Sequence, residues 1–343
     1  AAQGSGAEPA QGRGPVSLRR LTVRRESWPL ERPFAISRGA KSSAEVVVCE
    51  IADGGHAGRG ECVPYPRYGE TPSSVEAAIE GVAQAIADGA GRAELAGLLP
   101  AGAARNAVDC ALWDLEAKMA GMPVWKLAGL PAPLPAITAY TISLGSPAAM
   151  GAAAAEARHR PLLKLKLGAE DPVACVAAVR ASAPGARLIA DPNEGWSFAQ
   201  LQAVAPDLAR LGLELVEQPI PAVEDHRLKG WASPILLCAD ESFHVADDIA
   251  VLADRYGAVN VKLDKTGGFS EALAAMRAAE AAGLKIMVGC MVATSLAMAP
   301  AALLAGAAAY VDLDGPLLLK ADRAGGMTFE GSLMHPPEPS LWG

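Results

Sequence analysis

The sequence predicts an α/β fold, a (β/α)8-type barrel (TIM-like, modified) joined to an α+β capping domain, and three observations carry that prediction. Short apolar runs alternate with Ala-rich amphipathic segments from about residue 135 onward. Eight runs are strand candidates: "PAITAYTI", "LLKLKLG", "RLIADPN", "LELVEQP", "ILLCADES", "AVNVKLD", "LKIMVGC" and "AAYVDLD". Their polar ends, near Thr141, Lys166, Asp191, Glu217, Asp240, Lys262, Gly289 and Asp312, follow one another at steps of 22 to 27 residues. A strand with its returning helix needs about that length, and eight such units close a barrel; a doubly wound sheet shows fewer strands and a glycine-rich first turn.

The elements before the barrel have a different texture. Residues 1–15, "AAQGSGAEPAQGRGP", are small, polar and rich in Gly and Pro, which predicts a disordered tail. Residues 16–130 form the α+β capping domain, completed by C-terminal residues 316–343, and residues 131–315 form the barrel. Within the cap, "VSLRRLTVRRESW" and "AEVVVCEI" alternate apolar and polar side chains, and "DGG" marks a turn, so antiparallel strands are expected. Residues 71–128 read as helical. Thr71 and Pro72 suit a cap and first-turn pair, and the apolar stripe of "AARNAVDCALWDLEAKMAG" ends near Gly121 and Pro123.

Composition narrows the function. A chain of 343 residues with 51% hydrophobic and 20% charged residues buries a large core. A net charge of -8 with no block of Lys or Arg argues against nucleic acid or a membrane surface as partner. No apolar run approaches the roughly 20 residues of a membrane span, and no export signal opens the chain. A small-molecule substrate and a cytoplasmic location are expected, and a homo-oligomer stays open. The six cysteines form no CxxC pair and the five histidines no HExxH, so reduced core thiols and structural histidines are expected. "GGHAGRGE" suits a hairpin better than a dinucleotide loop.

Barrels place chemistry at the carboxyl ends of their strands. Asp191, Glu217 and Asp240 close "LIAD", "ELVE" and "LLCAD" on three consecutive strands, so three carboxylates meet at one mouth. Their mutual repulsion calls for a cation, and an all-oxygen set suits Mg²⁺ or Mn²⁺ more than zinc. The competing reading has each carboxylate capping a helix or pairing with a lysine. Lys164 and Lys166 alternate with leucines in "PLLKLKLGAED" and share one strand face, which fits either this mouth or an exposed edge. Lys262 lies one strand beyond Asp240, so Lys166 and Lys262 face each other across the ring. Two opposed lysines and a divalent ion are the parts needed to take a proton from carbon and return one. A free lysine, with pKa about 10.4, must lose affinity for its proton to act as base. Two ammoniums about 6.6 Å apart on one strand face repel by roughly 2.5 kcal/mol at an effective dielectric near 20. Nearby carboxylates oppose that effect.

The KxK pair (Lys164, Lys166), the carboxylates of "DPNEGW", "VEQP" and "ADES", and "NVKLDKTGG" with Lys262 resemble the enolase superfamily, in its muconate-lactonizing subgroup. The resemblance covers nearly the whole chain from about residue 16. It implies Asp191, Glu217 and Asp240 as Mg²⁺ ligands, Lys166 and Lys262 as acid/base catalysts, Lys164 as an electrostatic aid to a bound carboxylate, and Asn193 beside the ligands. Two departures stand out: "DPN", with Pro192, replaces the usual "DAN", and Ala293 stands where a glutamate is common. Lactonization, dehydration and racemization share the same proton abstraction, so the substrate must be read elsewhere. In "YVDLDGPLLL", Asp312 and Asp314 share one face by strand alternation and suggest a cationic substrate group; bonds to loop amides or a turn cap are the competing reading. Dipeptide epimerases use such a DxD motif for the free ammonium. The segment "LPAGAARNAVDCALWDLE" also resembles L-Ala-D/L-Glu epimerases of murein peptide recycling. That resemblance implies epimerization of L-Ala-L-Glu to L-Ala-D-Glu; Arg38 suits the glutamate side-chain carboxylate as a bidentate partner, with Arg67 and Lys41 as rivals for that contact and a surface salt bridge as the competing reading for each. A dipeptide epimerase of other specificity, an o-succinylbenzoate synthase, an N-acylamino acid racemase and, more distantly, a non-catalytic metabolite-binding barrel are the alternatives.

Overall fold

Three antiparallel strands begin the described part of the chain, residues 19–343 of a computed structural model. The tail expected over residues 1–15 lies outside the described residues. The strands β1 (Arg20–Ile36), β2 (Gly39–Asp53) and β3 (His56–Cys62) pair in that order. Asp53 pairs with His56 across a two-residue turn, where Gly54 and Gly55 take φ of 56° and 89°. A primed hairpin turn needs positive φ at both positions, which is why "DGG" marks it. The helix Pro72–Gly81 starts as the sequence predicts, with Thr71 Oγ1 accepting from Ser74 N at 3.1 Å.

The helix Ala103–Ala120 lies against this sheet and ends at Gly121, whose left-handed φ of 58° terminates it. Contact between helix and sheet is backbone to backbone. A β-carbon on Gly60 would stand 2.1 Å from the Ala107 carbonyl oxygen, and one on Gly58 would stand 2.1 Å from that of Ala111. Ile51, Ile79, Leu112 and Leu115 fill the core beside this contact.

The barrel strands are β5 (Tyr140–Ile142), β6 (Leu162–Lys166), β7 (Arg187–Asp191), β8 (Leu213–Glu217), β9 (Leu236–Ala239), β10 (Ala258–Val261), β11 (Lys285–Gly289) and β12 (Tyr310–Asp312). They pair in parallel and in sequence order. The ring closes where Ala139 N donates to Val311 O at 2.8 Å and Leu313 N donates to Thr138 Oγ1 at 2.8 Å. The run "PAITAYTI" divides, because β4 (Ala136–Ile137) leaves the barrel. It joins β13 (Phe329–Glu330) and β14 (Leu333–Met334) in a small antiparallel sheet.

Inside the barrel, strand alternation sets the layers. Ala139, Leu162, Ile189, Leu215, Cys238, Ala258, Met287 and Tyr310 form one apolar plug. Two residues further along each run lies a second, mostly polar ring: Thr141, Lys164, Asp191, Glu217, Asp240, Asn260, Gly289 and Asp312. The C-terminal segment returns to the cap: Leu319 bridges Leu30, Arg323 pairs with Glu61 at 2.6 Å, and Trp342 Nε1 donates to Cys110 O at 3.0 Å. The six cysteines are free, and no described helix is long and apolar enough to cross a membrane.

The glycine contact carries a prediction. Gly60→Ala must push the helix Ala103–Ala120 off the sheet and is expected to cost about 2–3 kcal/mol. Urea denaturation measures this, and a loss under about 0.5 kcal/mol would contradict the close approach.

Candidate active site

The polar ring above the plug is the floor of a cavity of about 470 Å³. Asp191 and Glu217 end β7 and β8 and Asp240 directly follows β9, each offering a carboxylate oxygen within 4.8 Å of the others. All three are buried, at 0%, 0% and 2% exposure. Lysines surround them. Lys164 Nζ lies 2.5 Å from Glu217 Oε2 and 2.7 Å from Asp312 Oδ2; Lys166 Nζ lies 2.5 Å from Asp191 Oδ2; Lys262 Nζ lies 2.6 Å from Asp240 Oδ2. Lys164 and Lys166 therefore face the mouth, and the edge-strand alternative is excluded, since both are buried within a closed ring. Glu217 Oε2 and Asp240 Oδ1 touch ammoniums but receive no well-directed hydrogen bond. Buried carboxylate oxygens with spare lone pairs are the donor set a small divalent cation takes, so these residues fit Mg²⁺.

The charges are strongly coupled. Burial lowers the proton affinity of Lys164, but Asp312, Glu217 and Asp191 outweigh it and hold the ammonium well above its usual range. Lys262 behaves alike: burial is overcome by Asp240, Glu217 and Asp191. The lowering expected from repulsion between paired lysines is thus not what Lys164 shows, because three carboxylates act on it at closer range. Burial raises Glu217, with Asp191 adding to the shift. Asp240 is buried too, yet Lys262 and Lys265 hold it well below the usual carboxylate range.

Asn193 stands beside the triad, its backbone N 2.8 Å from Asp191 Oδ1 and its Nδ2 3.0 Å from Asp191 Oδ2. It adopts φ of 49°, a left-handed conformation that Asn tolerates. Pro192 directly follows the last residue of β7. Ala293 is fully buried, its backbone against Gly315. Asp312 ends β12, but Asp314 lies beyond the strand and precedes the helical turn Gly315–Leu318, so strand alternation does not place it. Its Oδ2 accepts from Thr141 N at 2.7 Å, and burial, with Asp312 nearby, raises its carboxyl to about 7.

The cap supplies the roof. Arg38 donates to Asn193 O at 2.9 Å, Tyr65 OH at 3.0 Å and Glu241 Oε1 at 2.7 Å, while Arg67 grips both oxygens of Glu194 at 2.7 and 2.9 Å. Sequence reasoning missed four partners. Asn260 Nδ2 donates to Glu217 Oε1 at 2.6 Å; Lys265 Nζ lies 2.6 Å from Asp240 Oδ1; Glu241 anchors Arg38; Tyr68 lines the cavity. Asn260 was accessible by alternation, since it precedes Lys262 by two residues; Lys265 was not, since it lies in the turn after the strand.

These features define a barrel enzyme with a buried acidic triad between opposed lysines. The comparisons agree: residues 18–129 match the mandelate racemase / muconate lactonizing enzyme N-terminal domain, and residues 149–338 match the enolase C-terminal domain-like family. The chain belongs to the enolase superfamily. It is 43% identical to L-Ala-D/L-Glu epimerase of Escherichia coli (strain K12) over 93% of this chain and 100% of that protein. It is 44% identical to N-acetyl-D-glutamate racemase of Pseudoalteromonas sp over 87% of this chain and 95% of that one. Among solved structures, an enolase family member from Agrobacterium tumefaciens with homology to dipeptide epimerases, with bound sodium and L-Ala-L-Glu, superposes with TM-score 0.93 at 52% identity, over 95% of this chain and 100% of that one. The dipeptide epimerase of Enterococcus faecalis V583, complexed with Mg and L-Leu-L-Tyr, gives TM-score 0.87 at 30% identity, over 94% and 98%. The expected superfamily, and the expected isomerase class, agree with these relatives.

One buried acid couples cap and barrel. Asp264, two residues after Lys262, accepts from Val63 N at 3.0 Å and Asn106 Nδ2 at 2.8 Å, and burial raises it to about 7. The folded state keeps this proton while the unfolded chain releases it near 3.8, so stability falls as pH rises from about 4 to 7. Asp264→Asn keeps both accepted bonds and is expected to flatten that decline by up to about one proton in slope. Urea midpoints at pH 5 and 7 measure it; identical pH dependence in both proteins would refute the assignment.

Proposed function

We propose that the protein is a Mg²⁺-dependent epimerase that moves the α-proton of the C-terminal residue of a dipeptide, converting L-Ala-L-Glu to L-Ala-D-Glu. The observation that carries this reading is the placement of Lys166 and Lys262. They extend from the ends of β6 and β10, four strands apart in a ring of eight, and pair with Asp191 and Asp240 on opposite sides of the triad. Two amines across one carbon are what inversion requires, since one face must lose a proton while the other gains one.

Asp191, Glu217 and Asp240 hold the cation, Mg²⁺ or Mn²⁺, and Asn193 orients Asp191. When bound there, the cation offsets the second negative charge that builds on the substrate carboxylate as the α-proton leaves, and it competes with the lysines for the same oxygens. Lys166 exchanges a proton with one face of the α-carbon and Lys262 with the other. Lys164, buried among acids, keeps positive charge beside the bound carboxylate. Asp312 and Asp314 receive the N-terminal ammonium, and Arg38, held by Glu241 and Tyr65, closes the distal end of the cavity. Recycling of cell-wall peptides in the cytoplasm fits six free cysteines.

A second reading is an N-acylglutamate racemase. It is favoured by the engagement of both DxD carboxylates, Asp312 by Lys164 and Asp314 by Thr141 N, and by the 44% identity to a relative of that activity. The two readings share a glutamate α-carbon and differ in the ammonium.

Proton NMR in D₂O with Mg²⁺ tests both. L-Ala-L-Glu is expected to lose its glutamate α-proton signal as the L-Ala-D-Glu diastereomer grows, and a chelator is expected to stop both changes. Exchange of N-acetyl-L-glutamate with none in the dipeptide would select the second reading. Lys166→Ala and Lys262→Ala are each expected to lower epimerization by about 10²–10⁴-fold, with one variant still exchanging the α-hydrogen of a single epimer. Undiminished epimerization in either variant would refute the two-lysine assignment.

A further inference from the structure

Each acid of the triad has one oxygen held by a donor that is not one of the three cavity lysines. Asp191 Oδ1 accepts from Asn193 N at 2.8 Å, Glu217 Oε1 accepts from Asn260 Nδ2 at 2.6 Å, and Asp240 Oδ1 pairs with Lys265 Nζ at 2.6 Å. The other oxygens, Asp191 Oδ2, Glu217 Oε2 and Asp240 Oδ2, pair with Lys166, Lys164 and Lys262. Two of the three holders come with a charge or with the backbone of the ligand's own loop. Asn260 is the neutral one, and it reaches Glu217 from β10, two strands away.

Packing does not call for an amide there. Asn260 is fully buried, and its Oδ1 accepts no hydrogen bond, an unmade bond that an apolar side chain would avoid. The fold nevertheless makes room for it. The next position in the polar ring is Gly289, where a β-carbon would stand 2.5 Å from Asn260 Oδ1 and 2.7 Å from its Nδ2. Lys262 Nζ lies farther from Glu217 Oε1, at 3.3 Å, and is closer to Asp240, so the amide is the donor that fixes this oxygen.

We infer that Asn260, given room by Gly289, is a positioning residue that sets which cation the triad takes. By holding Oε1 it leaves Glu217 one oxygen for the ion. Ca²⁺ takes about six to eight oxygens and readily accepts both from one carboxylate, whereas Mg²⁺ demands a near-octahedral set. A Glu217 confined to one oxygen therefore favours Mg²⁺ or Mn²⁺ over Ca²⁺. The inference rests on the assignment of the triad to a cation and is independent of the substrate.

The test is calorimetry on the full chain, freed of metal by a chelator and without dipeptide, titrated with Mg²⁺ and with Ca²⁺. Wild type is expected to bind Mg²⁺ the more tightly. Asn260→Leu keeps the branched shape and removes the donor, and it is expected to lower the Mg²⁺-to-Ca²⁺ affinity ratio roughly tenfold. Gly289→Ala displaces the amide without removing it and is expected to move the ratio in the same direction. A ratio unchanged in Asn260→Leu, including equal losses for both ions, is what a residue needed only for packing gives, and it would overturn the inference. Should circular dichroism show Asn260→Leu unfolded, the ratio in Gly289→Ala decides in its place. A wild type that takes Ca²⁺ as tightly as Mg²⁺ overturns the inference without any variant, and one that binds neither ion overturns the cation assignment along with it.

Discussion

Burying many charges in one layer constrains everything else in this protein. Asp191, Glu217, Asp240 and Asp312 meet Lys164, Lys166, Lys262 and Lys265 at the top of a closed barrel, all nearly inaccessible to water. An unpaired charge there would cost several kcal/mol, so each acid and each lysine fixes the placement of its neighbours. The balance also sets the chemistry. Carboxylates stabilise the ammonium forms of Lys164 and Lys262, and a cation bound at those carboxylates would weaken that hold.

The fold supplies this layer by a simple device. An apolar plug, one residue per strand, blocks the barrel below, and two residues further along each strand the side chains turn polar. Regular alternation thus converts eight short strands into a rigid frame for the site. The cap then grips the frame from above. Asn106 and the Val63 amide hold Asp264, and Arg105 donates to Thr266 O at 2.6 Å, so the turn after Lys262 is fastened to the helix Ala103–Ala120.

Floor and roof have separate tasks. Barrel residues fix the reaction class, because acids at strand ends and lysines opposed across the ring determine what can happen to a proton. The cap segment around Arg38 and Lys41 lines the cavity from above. The chain is about equally similar to an L-Ala-D/L-Glu epimerase and to an N-acetyl-D-glutamate racemase, two relatives whose substrates differ.

Much of the site was legible because strand ends are legible. Asp191, Glu217 and Asp240 each close an apolar run, and Lys164 and Lys166 share a face by a period of two, so local pattern alone brings them to one mouth. Local pattern fails where the backbone leaves the strand. Asp314 takes its position from the Thr141 amide across the barrel seam, and Lys265 takes its own from the turn beyond β10. The run "PAITAYTI" divides because Thr138 is claimed by Ser332 and Leu313, residues far away in sequence. The direction of the Lys164 shift was likewise inaccessible, since it depends on three carboxylates from three other strands. Sequence by itself determined the barrel, its order and the kind of chemistry at its mouth, because these follow from periodicity and residue type. Which charge pairs with which was decided by distances between segments that only the folded chain brings together.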